Sequence, residues 1–263
     1  MPRFAANLSM LFTEADFLER FALARDAGFE GVEYLFPYAY PPEQLRGLLR
    51  EHGLTQVLFN LPPGDWDAGE RGIACLPDRV EEFRAGVDQA IEYARALDCR
   101  QLNCLAGLKP ADVSEELAWQ TLVENVSWAS SKLAEQGITL CLEAINSRVD
   151  MPGFVLDTSG KVLALIEQVD ADNVRLQYDL YHMQIMEGDL VRTVECLLPW
   201  IGHIQFADNP GRHEPGTGEI NFLNVFEAID RLGYEGWVSA EYRPSGRTAD
   251  SLDWFAGGHR PSP

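Results

Sequence analysis

The sequence predicts an α/β protein that forms a single-domain (β/α)8 TIM barrel, and three observations support this. Short runs of β-branched or aromatic residues alternate eight times with longer segments whose apolar residues recur at helical spacing. No Ser-, Gly- or Pro-rich linker divides residues 4–245, so one domain is expected, followed by a tail over 246–263. Neither a Gly-x-Gly-x-x-Gly turn nor a Gly-Lys-Ser/Thr loop follows a strand. This favours the barrel over a doubly wound sheet.

The predicted strands are mostly continuous apolar runs, as is typical of parallel strands that are covered on both faces. Their expected bounds are residues 4–10, 31–36, 55–61, 101–105, 139–145, 174–180, 202–207 and 237–242.

The predicted helices between them begin and end at local signals. Residues 13–16 open the first helix and Gly28 ends it, while residues 41–43 open the second and Gly53 ends it. The other helices are expected over 78–97, 114–136, 158–169, 188–198 and 221–232. In the tail, the aromatic residues Trp254 and Phe255 precede two glycines. These aromatic side chains could pack on the barrel or on a neighbouring molecule, and the sequence leaves both possibilities open.

Composition excludes several classes of protein. Hydrophobic residues make up 46% of the chain, which is typical of a folded protein, and the net charge of −20 opposes binding to nucleic acid or to an anionic membrane surface. No apolar run reaches the ~20 residues of a membrane span, and the start lacks a signal-peptide layout, so a cytoplasmic protein is expected. Five cysteines without a Cys-x-x-Cys pair are expected to be reduced, buried and structural.

Two connections, 62–77 and 207–220, are longer than alternating strands and helices require. Both follow strands, so both should lie at the carboxyl end of the barrel, where barrel enzymes build their active sites. The first loop contains Arg71 and the second contains Arg212.

Four oxygen-bearing side chains end the last four predicted strands. They are Glu143, Asp179, Gln205 and Glu241. Each is about one β-α unit from the next, so they should converge on one part of the rim. Because burying unpaired carboxylates is costly, the pattern predicts a divalent cation among them. Oxygen ligands without a thiolate favour Mg²⁺, with Mn²⁺ as the alternative.

Further polar residues are candidates for contact with a substrate. His182 follows Asp179 by three residues, and either it donates to a substrate oxygen or it orients a ligating carboxylate. Glu33 and Asn60 end the second and third predicted strands and are expected at the pocket. Asn7 and Asn103 occupy the same positions on strands one and four, and His203 shares the inward face of Gln205.

An anionic substrate would need a counter-charge in so acidic a protein. Arg71 is the preferred clamp for a substrate carboxylate because an arginine can bind it bidentately. Arg212 and Lys109 are the alternatives. If Arg71 lies on a mobile loop, closure of that loop would also exclude water from the site.

Three stretches carry a resemblance to a known family. They are residues 59–66 with 69–72 (FNLPPGDW and GERG), residues 177–184 (QYDLYHMQ), and residues 207–212 (ADNPGR) running to 215–220 (PGTGEI). Over nearly its whole length the chain resembles the hydroxypyruvate isomerase family of the xylose-isomerase-like barrel superfamily. The resemblance implies a metal-assisted interconversion of hydroxypyruvate and tartronate semialdehyde in glyoxylate and carbohydrate metabolism. It also implies that Glu143 and Glu241 are the proton-transferring pair.

Other functions stay open beside this one. Isomerisation would pass a proton from C3 to C2 through an enediolate, and a branch of the same family acts on four-carbon 2-oxo acids. A ketose 3-epimerase is disfavoured, because such relatives usually carry histidine where this chain has Gln205. An abasic-site nuclease on the same barrel would need more than five histidines and a basic groove. The remaining alternative is a metabolite-binding barrel without turnover, and a homo-oligomer is left open.

Overall fold

The computed structural model describes residues 1–256, so the last seven residues of the predicted tail lie outside the described part of the chain. The strands are β1 (Arg3–Asn7), β2 (Gly31–Glu33), β3 (Thr55–Gln56), β4 (Phe59–Asn60), β5 (Gln101–Cys104), β6 (Thr139–Glu143), β7 (Val174–Asp179), β8 (Ile201–Phe206) and β9 (Trp237–Ala240). All pair in parallel, in the order β3-β2-β1-β9-β8-β7-β6-β5-β4.

The helices surround this sheet. They are α1 (Arg20–Asp26), α2 (Pro42–His52), α3 (Val80–Leu97), α4 (Glu115–Ala134), α5 (Ser159–Val169), α6 (Leu180–Met186), α7 (Leu190–Leu197), α8 (Phe222–Arg231) and α9 (Asp253–Ala256), with short 3-10 helices at Phe17–Glu19, Leu198–Trp200 and Thr248–Ser251. None of the helices within residues 1–256 is long and apolar enough to cross a membrane.

The sheet closes on itself through its two outermost members. β3 and β4 are pieces of one predicted strand, separated only by residues 57–58. β3 pairs with β2, and just beyond β3 the Val57 N–H donates to the carbonyl of Val32 at 2.8 Å. Just beyond β4 the Leu61 N–H donates to the carbonyl of Asn103 on β5, also at 2.8 Å. The segment that contains β3 and β4 therefore pairs with β2 on one side and with β5 on the other, which closes the sheet into a barrel. The predicted eight-stranded TIM barrel is confirmed, with its third strand in two parts.

The largest departure from the predicted elements is α6, which begins directly where β7 ends. Asp179 ends the strand and caps the helix, because its Oδ1 accepts hydrogen bonds from the N–H groups of Tyr181 and His182 at 2.8 and 3.4 Å. The first helix begins at the predicted signal, because Asp16 and Glu19 form a capping box that opens the 3-10 turn Phe17–Glu19, and this turn leads directly into α1.

The cysteines are free, as expected. The expectation of burial was wrong for Cys196, which is exposed on α7, and right for the other four. Near the end of the described chain, Trp254 packs on the barrel, with its ring centroid 5.1 Å from Phe4 and 5.0 Å from Phe206.

Candidate active site

A cavity of about 580 Å³ opens at the carboxyl ends of the strands. Its walls include six of the predicted site residues, which are Asn60, Arg71, Glu143, His182, Arg212 and Glu241. Three more, Glu33, Asp179 and Gln205, are buried but do not line it. Strand register explains why these polar residues lie close together at one end of the barrel. Asp179 pairs with Gln205, and Glu33 pairs with Asn7, across neighbouring strands.

Glu143, Asp179 and His182 form the group best suited to hold a cation. One ligand atom from each lies within 4.8 Å of the others, and all three residues are buried. Asp179 Oδ2 is a buried carboxylate oxygen without a hydrogen-bond partner among the described residues. Glu143 receives one hydrogen bond, from Asn103 to Oε2 at 3.1 Å, and Oε1 has no hydrogen bond among residues 1–256. An orphaned carboxylate oxygen beside a second carboxylate fits a hard divalent cation such as Mg²⁺ or Mn²⁺.

Gln205 and Glu241, the other two predicted ligands, are engaged by protein groups. Gln205 accepts a hydrogen bond from Gln177 at Oε1 (2.6 Å), and its Nε2 donates to Glu33 (2.7 Å) and to Glu241 (3.1 Å). Asn7 donates to Glu33 and Glu241, at 3.0 and 2.9 Å. These bonds join the two residues to a network with Asn7 and Glu33, and Glu241 also lines the cavity.

Arg212 is a fixed part of the site and not a solvated loop cation. It is 9% exposed, and its Nη2 lies 2.6 Å from Glu241 Oε2 and 3.9 Å from Asp179 Oδ2. Its Nη1 lies 3.9 Å from Asp150, and the guanidinium lies over the Tyr181 ring at 5.1 Å. One buried cation thus partly neutralises three carboxylates.

Burial sets the protonation of the acids around this cavity. Burial, together with the charges of Glu241 and Asp179, raises the pKa of Glu143 well above its usual range. Burial also raises the pKa of Glu241 to about 8 and that of Asp179 to about 6, although Arg212 opposes both shifts. Burial thus disfavours ionisation of all three carboxylates.

Glu33 titrates in the opposite direction. Burial alone would raise its pKa, but the charge and hydrogen bond of His203 and the hydrogen bond from Gln205 lower it instead. His203 Nε2 lies 2.7 Å from Glu33 Oε2, which places His203 behind the cavity wall. Glu33 is therefore held as a paired carboxylate beneath the pocket.

Arg71 reaches the cavity from the long loop after β4. Its guanidinium stacks on Trp66 at 4.1 Å and donates to the carbonyls of Trp66 (3.0 Å) and Glu70 (2.7 Å). Glu70 in turn accepts hydrogen bonds from the Asp65 N–H (2.5 Å) and from Arg79 (2.7 Å). The loop conformation, and not α3 or β4 alone, presents Arg71 to the cavity.

Lys109 lies outside this cavity, contrary to its prediction as a substrate contact. The preceding residue, Leu108, forms an isolated antiparallel bridge with Phe154. The Lys109 ammonium donates to the carbonyls of Pro110 and Val113, at 3.2 and 3.0 Å. It lines a separate cavity of about 750 Å³ with Trp119 of α4.

Sequence reasoning missed several residues around the site. Asp150, Met151 and Arg243 line the cavity, and the buried Asn146 contacts His182. Asn146 had a usable signal, since it is a polar residue three positions beyond Glu143 at the start of a βα loop. Asp150 had none, because its position depends on how that loop folds back over the barrel.

The closed barrel and the buried acids at its carboxyl ends define a TIM-barrel protein with a polar, metal-compatible site. A sequence profile of the xylose isomerase-like TIM barrel family matches residues 21–257. The chain belongs to this family, which confirms the resemblance inferred from the motifs.

Similar proteins extend over nearly the whole chain. Hydroxypyruvate isomerase of Escherichia coli (strain K12) is 52% identical over 255 residues, covering 97% of this chain and 98% of that protein. The 2-oxo-tetronate isomerase of Cupriavidus necator is 47% identical with the same coverage. A crystal structure from Brucella melitensis, described as AP endonuclease, family 2, superposes with a TM-score of 0.95 at 48% identity, covering 99% of this chain and 100% of that one.

Proposed function

We propose that this chain is an isomerase that interconverts hydroxypyruvate and tartronate semialdehyde (2-hydroxy-3-oxopropanoate). The observation that carries the proposal is the 52% identity to a hydroxypyruvate isomerase over nearly the full length of both chains, joined to a cavity bounded by Glu143 and Glu241. The isomerase class expected from the sequence agrees with the names of these relatives.

The reaction requires two proton transfers at carbon and no net change in composition. A proton leaves C3 of hydroxypyruvate, the electron pair of that C–H bond forms an enediolate, and a proton is added at C2. In the same reaction the C3 hydroxyl gives up its proton and the C2 oxygen gains one. The C3 hydroxyl becomes the aldehyde, and the C2 carbonyl becomes the hydroxyl. Two carboxylates at one cavity can carry out the removal and the return of the carbon-bound proton.

We assign these two roles to Glu143 and Glu241, the residues predicted from the sequence. Glu143 Oε1 has no hydrogen-bond donor within reach among residues 1–256, so it is free to accept a proton. Glu241 accepts hydrogen bonds from Asn7, Gln205 and Arg212, which hold it in one orientation. Its pKa of about 8, raised by burial, suits a group that exchanges protons near neutral pH.

Glu143 and Asp179 would hold a divalent metal ion. Gln205 and Glu241, the further predicted ligands, would join them by exchanging hydrogen bonds that they now make to Gln177 and Arg212. When bound, such an ion polarises the carbonyl of the substrate and stabilises negative charge on its oxygens. Mg²⁺ is favoured, with Mn²⁺ as the alternative, because the available donors are oxygens. The residues around the ion bind and orient the substrate.

Substrate binding falls to the cations and polar groups of the cavity wall. Arg71 lines the cavity and is assigned to the substrate carboxylate. Arg212 is already paired with Glu241, so its role is to neutralise and position that carboxylate. Asn60 and His182 are assigned to substrate oxygens.

A second candidate is isomerisation of a four-carbon 2-oxo acid. It is favoured by the 47% identity to a 2-oxo-tetronate isomerase, which covers as much of the chain as the first relative does. The two reactions share the same proton transfer and differ only in substrate length. Comparison of kcat/KM for hydroxypyruvate and for 2-oxo-tetronate therefore separates them.

The proposed chemistry is tested by turnover in D₂O, followed by NMR. We expect wild-type enzyme to incorporate deuterium at carbon, and Glu143→Gln and Glu241→Gln each to lower kcat by about 10²- to 10⁴-fold. Glu167→Gln, on the exposed face of α5, is the matched control and should behave as wild type. EDTA should abolish turnover, and Mg²⁺ or Mn²⁺ should restore it.

Two outcomes would contradict the proposal. Product formed in D₂O without any deuterium at carbon would exclude proton exchange with solvent. Cleavage of abasic DNA at a rate above that with hydroxypyruvate would favour the nuclease named for the Brucella structure, which the charge of −20 opposes.

A further inference from the structure

We propose that Asn146 is a positioning residue that fixes His182 as the tautomer with its proton on Nε2. His182 then presents an N–H donor to the cavity and does not bind a metal through Nε2. The use of this donor on a substrate oxygen rests on the proposed function, whereas the tautomer itself does not.

The inference begins with the contact between the two side chains. Asn146 is fully buried in the loop after β6, and His182 is buried at the start of α6. Asn146 Nδ2 lies 2.7 Å from His182 Nδ1. Such a contact alone leaves open which of the two atoms is the donor, because either nitrogen of a neutral imidazole can carry the proton.

The surroundings of Asn146 settle the orientation of its amide. Asn146 Oδ1 accepts hydrogen bonds from the N–H groups of Val149 (3.0 Å) and Asp150 (2.9 Å). Asn146 Nδ2 also donates to the Asp150 carboxylate at 2.6 Å. A flipped amide would set its NH₂ against two backbone N–H groups and its oxygen against a carboxylate. The atom that faces His182 is therefore the nitrogen, and it can only donate.

It follows that His182 Nδ1 must accept, so it carries no proton. A ring without a proton on Nδ1 is not an imidazolium, and the one proton of the neutral ring lies on Nε2. Nε2 faces the cavity, 3.8 Å from Glu143 Oε1 and 3.6 Å from Asp179 Oδ2. A histidine that binds a metal through Nε2 needs the opposite tautomer, with its proton on Nδ1.

This assignment changes how the group of Glu143, Asp179 and His182 is understood. The two carboxylates can ligate a cation, while His182 directs an N–H at the same space. A fixed N–H donor beside a metal suits a substrate oxygen on which negative charge develops. Asn146 thus determines the chemistry of the site without touching the substrate.

The test is the tautomer of His182 in ¹⁵N-labelled protein, measured by long-range ¹H–¹⁵N correlation without metal and then with MgCl₂. The chain has five histidines, so comparison with His182→Gln assigns the signals. We expect Nδ1 unprotonated and Nε2 protonated under both conditions. A proton on Nδ1, or loss of the Nε2 proton on addition of Mg²⁺, would overturn the proposal.

A variant pair then tests Asn146 itself. Asn146→Asp replaces the donor by a carboxylate, so we expect the proton to move to Nδ1 and kcat to fall about 10- to 100-fold. Asn125→Asp is the matched control, since Asn125 is equally buried and its Nδ2 donates to the Ala74 carbonyl, far from His182 in the sequence. It should leave the tautomer as in wild type. An unchanged tautomer in Asn146→Asp would refute the role, and if that variant does not fold, the wild-type spectrum decides.

The two proposals fail separately. A protein that shows the expected tautomer but no turnover of any tested acid contradicts the proposed function and leaves the role of Asn146 intact. A protein that turns over the substrate normally but carries the proton on Nδ1 contradicts the role of Asn146 and leaves the proposed function intact.

Discussion

Asp179 performs two tasks with the two oxygens of one carboxylate. Oδ1 caps α6 through the N–H groups of Tyr181 and His182, and Oδ2 is left buried without a hydrogen-bond partner among the described residues. The capping bonds fix the carboxylate, so Oδ2 cannot turn away from Glu143. At the residue scale, the buried Asp179 carboxylate is therefore unfavourable when ionised, and a bound cation would stabilise it.

Replacing that charge should alter stability in a metal-dependent way. We expect metal-free Asp179→Asn to unfold at the same or a higher temperature than wild type, because the change removes a buried carboxylate charge whose nearest cation, Arg212, lies 3.9 Å from Oδ2. Mg²⁺ at 100 times its dissociation constant should stabilise wild type by about 2.7 kcal/mol and the variant by a negligible amount. Thermal unfolding in EDTA and in MgCl₂ measures both effects.

Asp157→Asn is the control for this measurement. Asp157 pairs with Lys161 and Ser147 at the separate cavity that Lys109 and Trp119 line, away from the group around Asp179. This variant should lose some stability yet keep the full response to Mg²⁺. An equal Mg²⁺ response in Asp179→Asn would remove Asp179 from the ligand set.

At the scale of one element, the loop between β4 and α3 is held by an acid that the sequence analysis did not single out. Glu70 binds the Asp65 N–H and the Arg79 guanidinium, and the Arg71 side chain folds against Trp66 beside it. Gly64 lies so close to the Glu70 carboxylate, at a positive φ of 84°, that a side chain there would collide with it. The loop conformation that presents Arg71 thus depends on Glu70.

Glu70→Gln should weaken substrate binding more than turnover. The variant loses the ion pair to Arg79 and loosens the loop, so we expect KM to rise about 3- to 10-fold, equivalent to about 0.7–1.4 kcal/mol, with kcat little changed. Steady-state kinetics with hydroxypyruvate measure this. Glu82→Gln removes the other partner of Arg79 and leaves Glu70 in place, so it should keep the wild-type KM. A fall in kcat without a change in KM would contradict the assignment.

The same contact has a defined dependence on pH. The hydrogen bond from Arg79, followed by that from the Asp65 N–H, lowers the pKa of Glu70. An acid whose pKa is lowered by folding contributes stability above its unfolded pKa, and this contribution is lost as the pH falls through the folded pKa. The loop should therefore be held by Glu70 at neutral pH and released only in acid.

At the scale of the whole molecule, aromatic residues pack the last described helix against the strands and α8. Trp254 contacts Phe4 on β1, Phe206 on β8 and Phe226 on α8. These contacts join the last described helix to elements at both ends of the chain. The segment after β9 therefore contributes to the stability of the barrel.

Trp254→Ala should destabilise the protein without changing its chemistry. Because Trp254 is only partly buried, we expect a loss of about 2–3 kcal/mol, below the range for a fully buried tryptophan. Urea unfolding measures this loss, and kcat at low temperature should match wild type. Trp200→Ala, at an exposed tryptophan, is the control and should cost less than 1 kcal/mol. Equal losses in both variants would show that the tail is not a structural part of the barrel.

The sequence by itself determined the fold and the side chains that could do chemistry. Eight apolar runs separated by helical segments can bury both faces of each strand in only a few ways, so the barrel followed from periodicity. Polar residues that end consecutive parallel strands must meet at one rim. Glu143, Glu241 and Asn60 were therefore predicted at one rim, and Arg212 was predicted beside them from its long loop; all four line the same cavity.

Only the tertiary structure decided how those groups are paired. Lys109 turns away with its loop, Arg212 is already held by Glu241, and Gln205 directs its oxygen at Gln177. The proton position on His182 depends on Asn146, whose amide is oriented by the loop after β6. Strand periodicity fixes which face a residue occupies. Hydrogen-bond partners depend on loop paths and side-chain rotations, which are set by contacts between residues far apart in the chain.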